Sequence, residues 1–158
     1  MDWSGWATFG FVATAVLTAV MAASQMIGWS RMDLPFMLGA IVTDEPDRAR
    51  VAGLAIHALN GQIFALLYAA AFALIGRASW WAGALFGFVH GAAALTLIVP
   101  ALPGVHPRMA SERAGPTLTA TLEPPGPFAL NYGRRTPLIT MIAHVAYGAI
   151  LGAFLQPR

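Results

Sequence analysis

The sequence predicts an all-α fold, a bundle of four membrane-spanning helices. The first reason is composition: 58% of the 158 residues are hydrophobic and only 10% are charged, whereas a soluble domain has about 25% charged residues. The second is that four apolar stretches without Asp, Glu or Arg each approach the length of about 20 residues that crosses a bilayer. We expect one membrane domain, residues 1–158, with spans at approximately 6–29, 51–75, 80–99 and 137–155.

The connections between the spans carry their own signals. Asp33, followed by Pro35 and Gly39, predicts a short interfacial helix, because aspartate is a favoured N-cap and proline suits a first turn. The four residues 76–79 predict a tight hairpin that makes the second and third spans antiparallel neighbours. The long connection 101–136 is rich in Pro, Gly, Ser and Thr. A loop of this length is usually functional or disordered, and we expect a partner or a second copy of the chain to hold it.

The distribution of arginine predicts the topology. There is no lysine, and the first and third connections contain seven of the arginines, namely Arg31, Arg48, Arg50, Arg108, Arg113, Arg134 and Arg135. Arg77 and Arg158 fall on the opposite face. By the positive-inside rule, both long connections are cytoplasmic and both termini lie outside. We expect a multi-pass protein of a prokaryotic cytoplasmic (inner) membrane.

Three short motifs recur in the same order and predict an internal repeat of two helical hairpins. The first copies are Phe9-Gly10-Phe11-Val12, Pro35-Phe36-Met37-Leu38 and His57-x-x-x-Gly61; the second copies are Phe86-Gly87-Phe88-Val89, Pro127-Phe128-Ala129-Leu130 and His144-x-x-x-Gly148. Parallel repeats are related by an axis along the membrane normal. Such an axis would make His57 and His144 face each other at equal depth, and would leave His90 near mid-membrane without a counterpart.

The histidines of the spans are the candidate functional residues, because an ionisable group inside a membrane is by default a functional-site hypothesis. A b-type haem needs two facing imidazoles, small residues beside the ring and cations near the propionates. The residues that would supply these are His57, His144, Gly61, Gly148, Arg50 and Arg135. A second hypothesis is a metal site of His57, His90 and His144, with His106 on the loop surface. The simplest alternative is hydrogen bonding across helices, for example to Tyr68 or Tyr147.

Several functional classes are disfavoured by what the sequence lacks. Without cysteine there are no disulfides or thiolate ligands, and without lysine there is no Schiff-base chemistry. The spans contain no carboxylate, which disfavours a proton pump. The scattered arginines do not form the dense basic face that nucleic-acid binding requires. No Ser-His-acid set or H-E-x-x-H motif is present, so we expect a protein that is not an enzyme.

Small residues at helical spacing suggest close helix packing, and with it three functional hypotheses. The glycines concerned are Gly53, Gly61, Gly83, Gly87, Gly91, Gly148 and Gly152. The favoured hypothesis is a non-enzymatic accessory or assembly subunit that uses these helices to pack in a larger, respiratory or photosynthetic-type membrane complex or to self-associate, surrounded by lipid. The alternatives are a small haem- or metal-binding electron carrier and a channel or carrier for a small solute.

A resemblance covers most of the chain. The run Ser30-Arg31-Met32-Asp33-Leu34-Pro35-Phe36-Met37-Leu38-Gly39, followed by His57-x-x-x-Gly61, Phe86-Gly87-Phe88-Val89-His90-Gly91 and His144-x-x-Tyr147-Gly148, resembles a group of small, uncharacterised four-span membrane proteins of bacteria and archaea. The resemblance implies a helical bundle and carries no activity.

Overall fold

The computed structural model describes residues 2–155, and within them the chain forms six α-helices. These are α1 (Trp3–Met26), α2 (Leu34–Gly39), α3 (Pro46–Ile75), α4 (Trp80–Ala93), α5 (Val99–Val105) and α6 (Thr136–Phe154). A π-helical turn, Ala94–Ile98, joins α4 to α5 without a break, and a 3-10 helix, Pro127–Tyr132, precedes α6. The described chain therefore contains four helices long and apolar enough to cross a membrane, as predicted.

Side-chain caps fix where α2 and α3 begin. The carboxylate of Asp33 accepts a hydrogen bond from the backbone N–H of Phe36 at 3.0 Å, which confirms the predicted short helix and its N-cap. Glu45 accepts hydrogen bonds from the backbone N–H groups of Asp47 and Arg48, at 3.1 and 2.7 Å. Because this cap satisfies the first free N–H groups of the helix, α3 begins at Pro46, five residues before the predicted span.

The third span is longer than its proline residues predicted. Pro100 suggested an end at residue 99, whereas the helix continues through Pro103 to Val105. In the π-helical turn, the backbone N–H of Val99 bonds to the carbonyl oxygen of Ala94. Because this wider turn has already altered the hydrogen-bond pattern, a proline directly after it disrupts less than it would in a regular helix.

Glycine lets the backbones of α4 and α6 touch. A Cβ atom built on Gly83 would overlap the carbonyl oxygen of Gly148, and one on Gly148 would overlap that of Gly83. The other predicted packing glycines also face atoms of this chain: Gly53 meets Pro35, Gly61 meets Thr14, Gly87 meets His144, Gly91 meets Met141 and Gly152 meets Ser79. The glycines predicted to pack helices therefore lie at close contacts within this chain.

Aromatic side chains lie between α3 and α4, the two helices of the second hairpin connection. Gly76 ends α3 with a left-handed φ of 71°, and Ser79 caps α4 by accepting from the backbone N–H of Ala82. The helices then meet through rings, with Phe72 and Phe86 stacked at 5.5 Å between centroids. The close backbone contacts of α3 are with α1 and α2, while α6 packs on α1 and α4.

The long connection folds back onto the chain's own α2. We name residues 106–133 the cap. The Nε2–H of His106 donates to the carbonyl oxygen of Met37 at 2.8 Å, and the guanidinium of Arg108 donates to that of Ile41 at 3.2 Å. The two long connections thus lie at the same end of the bundle, and bonds within the chain fasten the cap to α2. Arg158, which the topology argument used, lies outside the described residues.

The internal repeat stays a prediction. The two hairpins that it relates differ in how closely their helices approach each other. In the first hairpin, a Cβ on Gly61 would meet the side chain of Thr14, which separates α1 from α3. In the second, Gly148 meets the backbone of Gly83 directly. The shared motifs are therefore set in helix pairs of different separation.

Candidate functional site

Two of the histidines lie in an aromatic cluster between α3, α4 and α6. The rings of His90 and His144 form a T-shaped contact, with centroids 4.7 Å apart and planes at 82°. The ring of Phe64 packs against that of His90, with centroids 4.0 Å apart. The hydroxyl of Tyr68 lies 3.4 Å from Nδ1 of His90, a long hydrogen bond. This contact corresponds to the simplest alternative above, in which a histidine bonds across helices to Tyr68.

Hydrogen bonds to backbone carbonyls orient the α6 side of the cluster. The Nδ1–H of His144 donates to the carbonyl oxygen of Thr140 at 2.8 Å, since a carbonyl can only accept. In the neutral ring, this leaves Nε2 as the acceptor nitrogen. The hydroxyl of Tyr147 donates to the carbonyl oxygen of Gly61 at 2.6 Å and so ties α6 to α3. The cluster is therefore held by directional bonds as well as by packing.

His57 lies on the seam between α1 and α3. Its ring is half-buried and lines a groove with Thr18 and Leu54. Within residues 2–155 no aromatic contact joins His57 to His144, whose ring instead lies beside Gly91 of α4. The ring that contacts His144 is that of His90, because α4 has the glycines that make room for a side chain of α6.

The residues predicted for haem do not fit a porphyrin. The glycines that would have flanked the ring plane are occupied, Gly61 by Thr14 and Gly148 by the backbone of Gly83. The two cations do not converge either. Arg50 binds Asp47 at 3.1 Å, and Arg135 lies over the ring of Trp29 at 4.8 Å, both at the helix ends. The geometry gives no support to a haem between His57 and His144.

The three-histidine metal site is also wrong in the described part of the chain. Among residues 2–155, no three His, Asp or Glu side chains lie close enough together to hold a metal ion. His57 faces α1 and the groove, whereas His90 and His144 face each other. A zinc or copper site has three or four ligands, so His90 and His144 alone would not complete one.

His106 is the histidine whose role sequence reasoning missed. It was expected on the loop surface, yet only 6% of its surface is exposed. Its Nε2–H donates to Met37, and its Nδ1 accepts from the backbone N–H of Arg108 at 3.1 Å. The signal in the sequence was slight, namely a histidine directly after an apolar helix. Its bond to a carbonyl group of α2 depends on the fold.

Comparison of the chain with models of protein families, with curated proteins and with solved structures gives no significant match. The site must therefore be interpreted from its own chemistry.

Proposed function

We propose that this integral membrane protein is a non-enzymatic accessory subunit of a larger, respiratory or photosynthetic-type membrane complex, and that its cap is the part that a partner membrane protein contacts. The observation that carries this proposal is a cleft between the cap and the α2–α3 connection. Its volume is about 500 Å³.

The walls of the cleft combine apolar and charged side chains. Phe36 and Leu118 line it together with Asp44 and Arg108. Leu118 is fully exposed, although the neighbouring cap residues are polar. A protein–protein interface has an apolar centre and a polar rim, and Leu118 with the charged side chains around the cleft could supply both. An extramembrane segment with an apolar anchor and groups of both charges would complement these walls.

Interactions within the chain keep the cap in place before any partner binds. The Arg31 guanidinium binds both carboxylate oxygens of Glu123, at 2.7 and 3.0 Å. The hydroxyl of Tyr132 donates to the backbone carbonyl of Glu123 at 2.6 Å, and the backbone N–H of Gly126 donates to Glu112 at 2.7 Å. A surface that is already ordered loses less conformational entropy when it binds. This supports a docking role for the cap.

The packing of the bundle supports a subunit more than a channel. Tyr147 and Phe72 are 1% exposed and Leu151 is fully buried, so large side chains fill the space between the helices. A path for a small solute would need polar groups and room along the bundle axis. Instead the polar side chains of the cluster bond to one another and to backbone carbonyls.

Cross-linking in the native membrane tests the proposal. A photo-reactive amino acid at Leu118 should yield a discrete adduct with one other membrane protein, whereas the same label at Leu74, which is 88% exposed at the far end of α3, should label lipid. Leu118→Asp should release the partner during purification in mild detergent. Ala114→Asp, an exposed position of the cap outside the cleft, is the matched control and should retain it. Lipid adducts at both positions, or a partner retained by Leu118→Asp, would contradict the proposal.

A further inference from the structure

A continuous groove runs down the outer face of the α1–α3 seam. Its upper part, of about 240 Å³, begins at Gln25 and the α2 N-terminus; its lower part, of about 410 Å³, reaches Phe11. Thr18, Leu54 and His57 line both parts. From Gln25 to Phe11 the helix rises about 21 Å at 1.5 Å per residue. The groove is thus long enough for an extended hydrocarbon chain.

One polar side chain of this groove differs from the others. The remaining polar groups bond within the chain: Thr14 to Gly10, Thr18 to Thr14, Gln25 to Met32, Asp33 to Phe36 and Arg50 to Asp47. Within residues 2–155, His57 has no hydrogen-bond partner. A polar group in the hydrocarbon region without such a partner is costly, because no water is there to satisfy it.

The chemistry of the lining determines what the groove accepts. The charges at its upper end, Asp33 and Arg50, are already engaged, so a charged head group would have to displace existing bonds. An acyl chain alone would leave the His57 imidazole unsatisfied. The ligand that fits has a long apolar tail and a neutral, compact head with a carbonyl or hydroxyl group.

We propose that this groove binds an isoprenoid quinone, with its head at His57 and its tail along the Phe11 end. A neutral imidazole donates a hydrogen bond to a quinone carbonyl and accepts one from a quinol hydroxyl, so both forms are accommodated. This proposal does not depend on the docking role of the cap, because the groove and the cleft share no lining residue.

Binding of decylubiquinone to the full-length chain in phosphatidylcholine nanodiscs tests the inference. Wild type should show saturable binding at one site. His57→Leu should weaken the affinity about fivefold to tenfold, as expected for one lost hydrogen bond, and His57→Gln should restore most of it. Ala19→Phe, which fills the groove, should abolish binding. Ala70→Phe, at an exposed position of α3 outside the groove, is the control and should bind like wild type.

Three outcomes would overturn the proposal. They are the absence of saturable binding to wild type, an affinity of His57→Leu equal to that of wild type, and displacement of the quinone by an equimolar amount of phosphatidylethanolamine, which would make the groove a site for structural phospholipid. Retention of binding by Ala19→Phe would place the quinone elsewhere and would also refute it. None of these results bears on cross-linking at Leu118, so the two proposals fail separately.

Discussion

The imidazoles of His90 and His144 meet in a T-shaped contact, with ring centroids 4.7 Å apart. The two residues come from α4 and α6, whose backbones touch where Gly83 faces Gly148. Gly91, one residue after His90, leaves space that the side chain of His144 occupies, with its Cβ 3.1 Å from where a Cβ of Gly91 would lie. The glycines of α4 therefore decide which two histidines pair.

We predict that Gly83→Ala separates α4 from α6. Its new methyl group would overlap the backbone oxygen of Gly148, which cannot move aside without moving the helix. Overpacking of this kind costs about 1–3 kcal/mol, and unfolding of the purified protein in a denaturing detergent series should show the loss. Gly104→Ala is the control, since no heavy atom lies within 4 Å of its added Cβ, and it should unfold like wild type. Equal stability of the two variants would contradict the packing.

The spans could be predicted because their signals are local. An uncharged apolar run and a cap such as Asp33 act on neighbouring residues, and the structure confirms both. The ends were less accurate where a nonlocal or unusual feature intervened. Pro100 suggested an end for the third span, but the π-helical turn before it lets the helix continue to Val105.

The contacts between helices could not be predicted in the same way. The spacing of His57 and Gly61 matches that of His144 and Gly148, yet the first histidine faces α1 and the second faces α4. The neighbour that a helix face meets depends on the distance between the two helices. Between α1 and α3, the small side chain of Thr14 already lies where a Cβ of Gly61 would be. The sequence therefore predicted which residues are candidates. The residues that they contact could be identified only from the folded structure.

We predict that His90→Phe preserves the bundle and His90→Ala weakens it. His90 packs against Phe64 and Tyr68, and its hydrogen bond to the Tyr68 hydroxyl is long, at 3.4 Å, so an aromatic ring of similar size can replace it. Truncation to alanine removes these ring contacts, and because His90 is only half-buried the cost should fall below that of a buried aliphatic side chain, about 2–5 kcal/mol. Thermal unfolding in detergent should order the proteins as wild type, then phenylalanine, then alanine. Equal loss in both variants would show that the imidazole nitrogens, and not the ring volume, stabilise the cluster.

We predict that His106→Leu loosens the cap while the bundle stays folded. The change leaves the carbonyl of Met37 and the backbone N–H of Arg108 without their partners, and each unsatisfied buried group costs about 1–3 kcal/mol. Trypsin should then cleave faster after Arg108 and Arg113. His57→Leu is a matched control, because it removes an imidazole outside the cap, and it should be cleaved at the wild-type rate. Unchanged cleavage of His106→Leu would mean that the remaining contacts suffice to hold the cap.

We predict that the cap loosens at alkaline pH as Tyr132 ionises. Burial, with a further contribution from the Glu123 carboxylate, raises the pKa of this phenol from 10.0 to about 12, although the Arg31 guanidinium acts in the opposite direction. Because the pKa is raised in the folded state, the neutral phenol stabilises the cap fully below pH 10, and this contribution is lost as the pH rises through 12. The near-ultraviolet absorbance of phenolate, measured as the difference between wild type and Tyr132→Phe, should give a midpoint close to 12. Glu123→Gln should lower that midpoint, since it removes the carboxylate and leaves the Arg31 charge without its partner. A midpoint near 10 in wild type would mean that Tyr132 is exposed to water and that the cap is open.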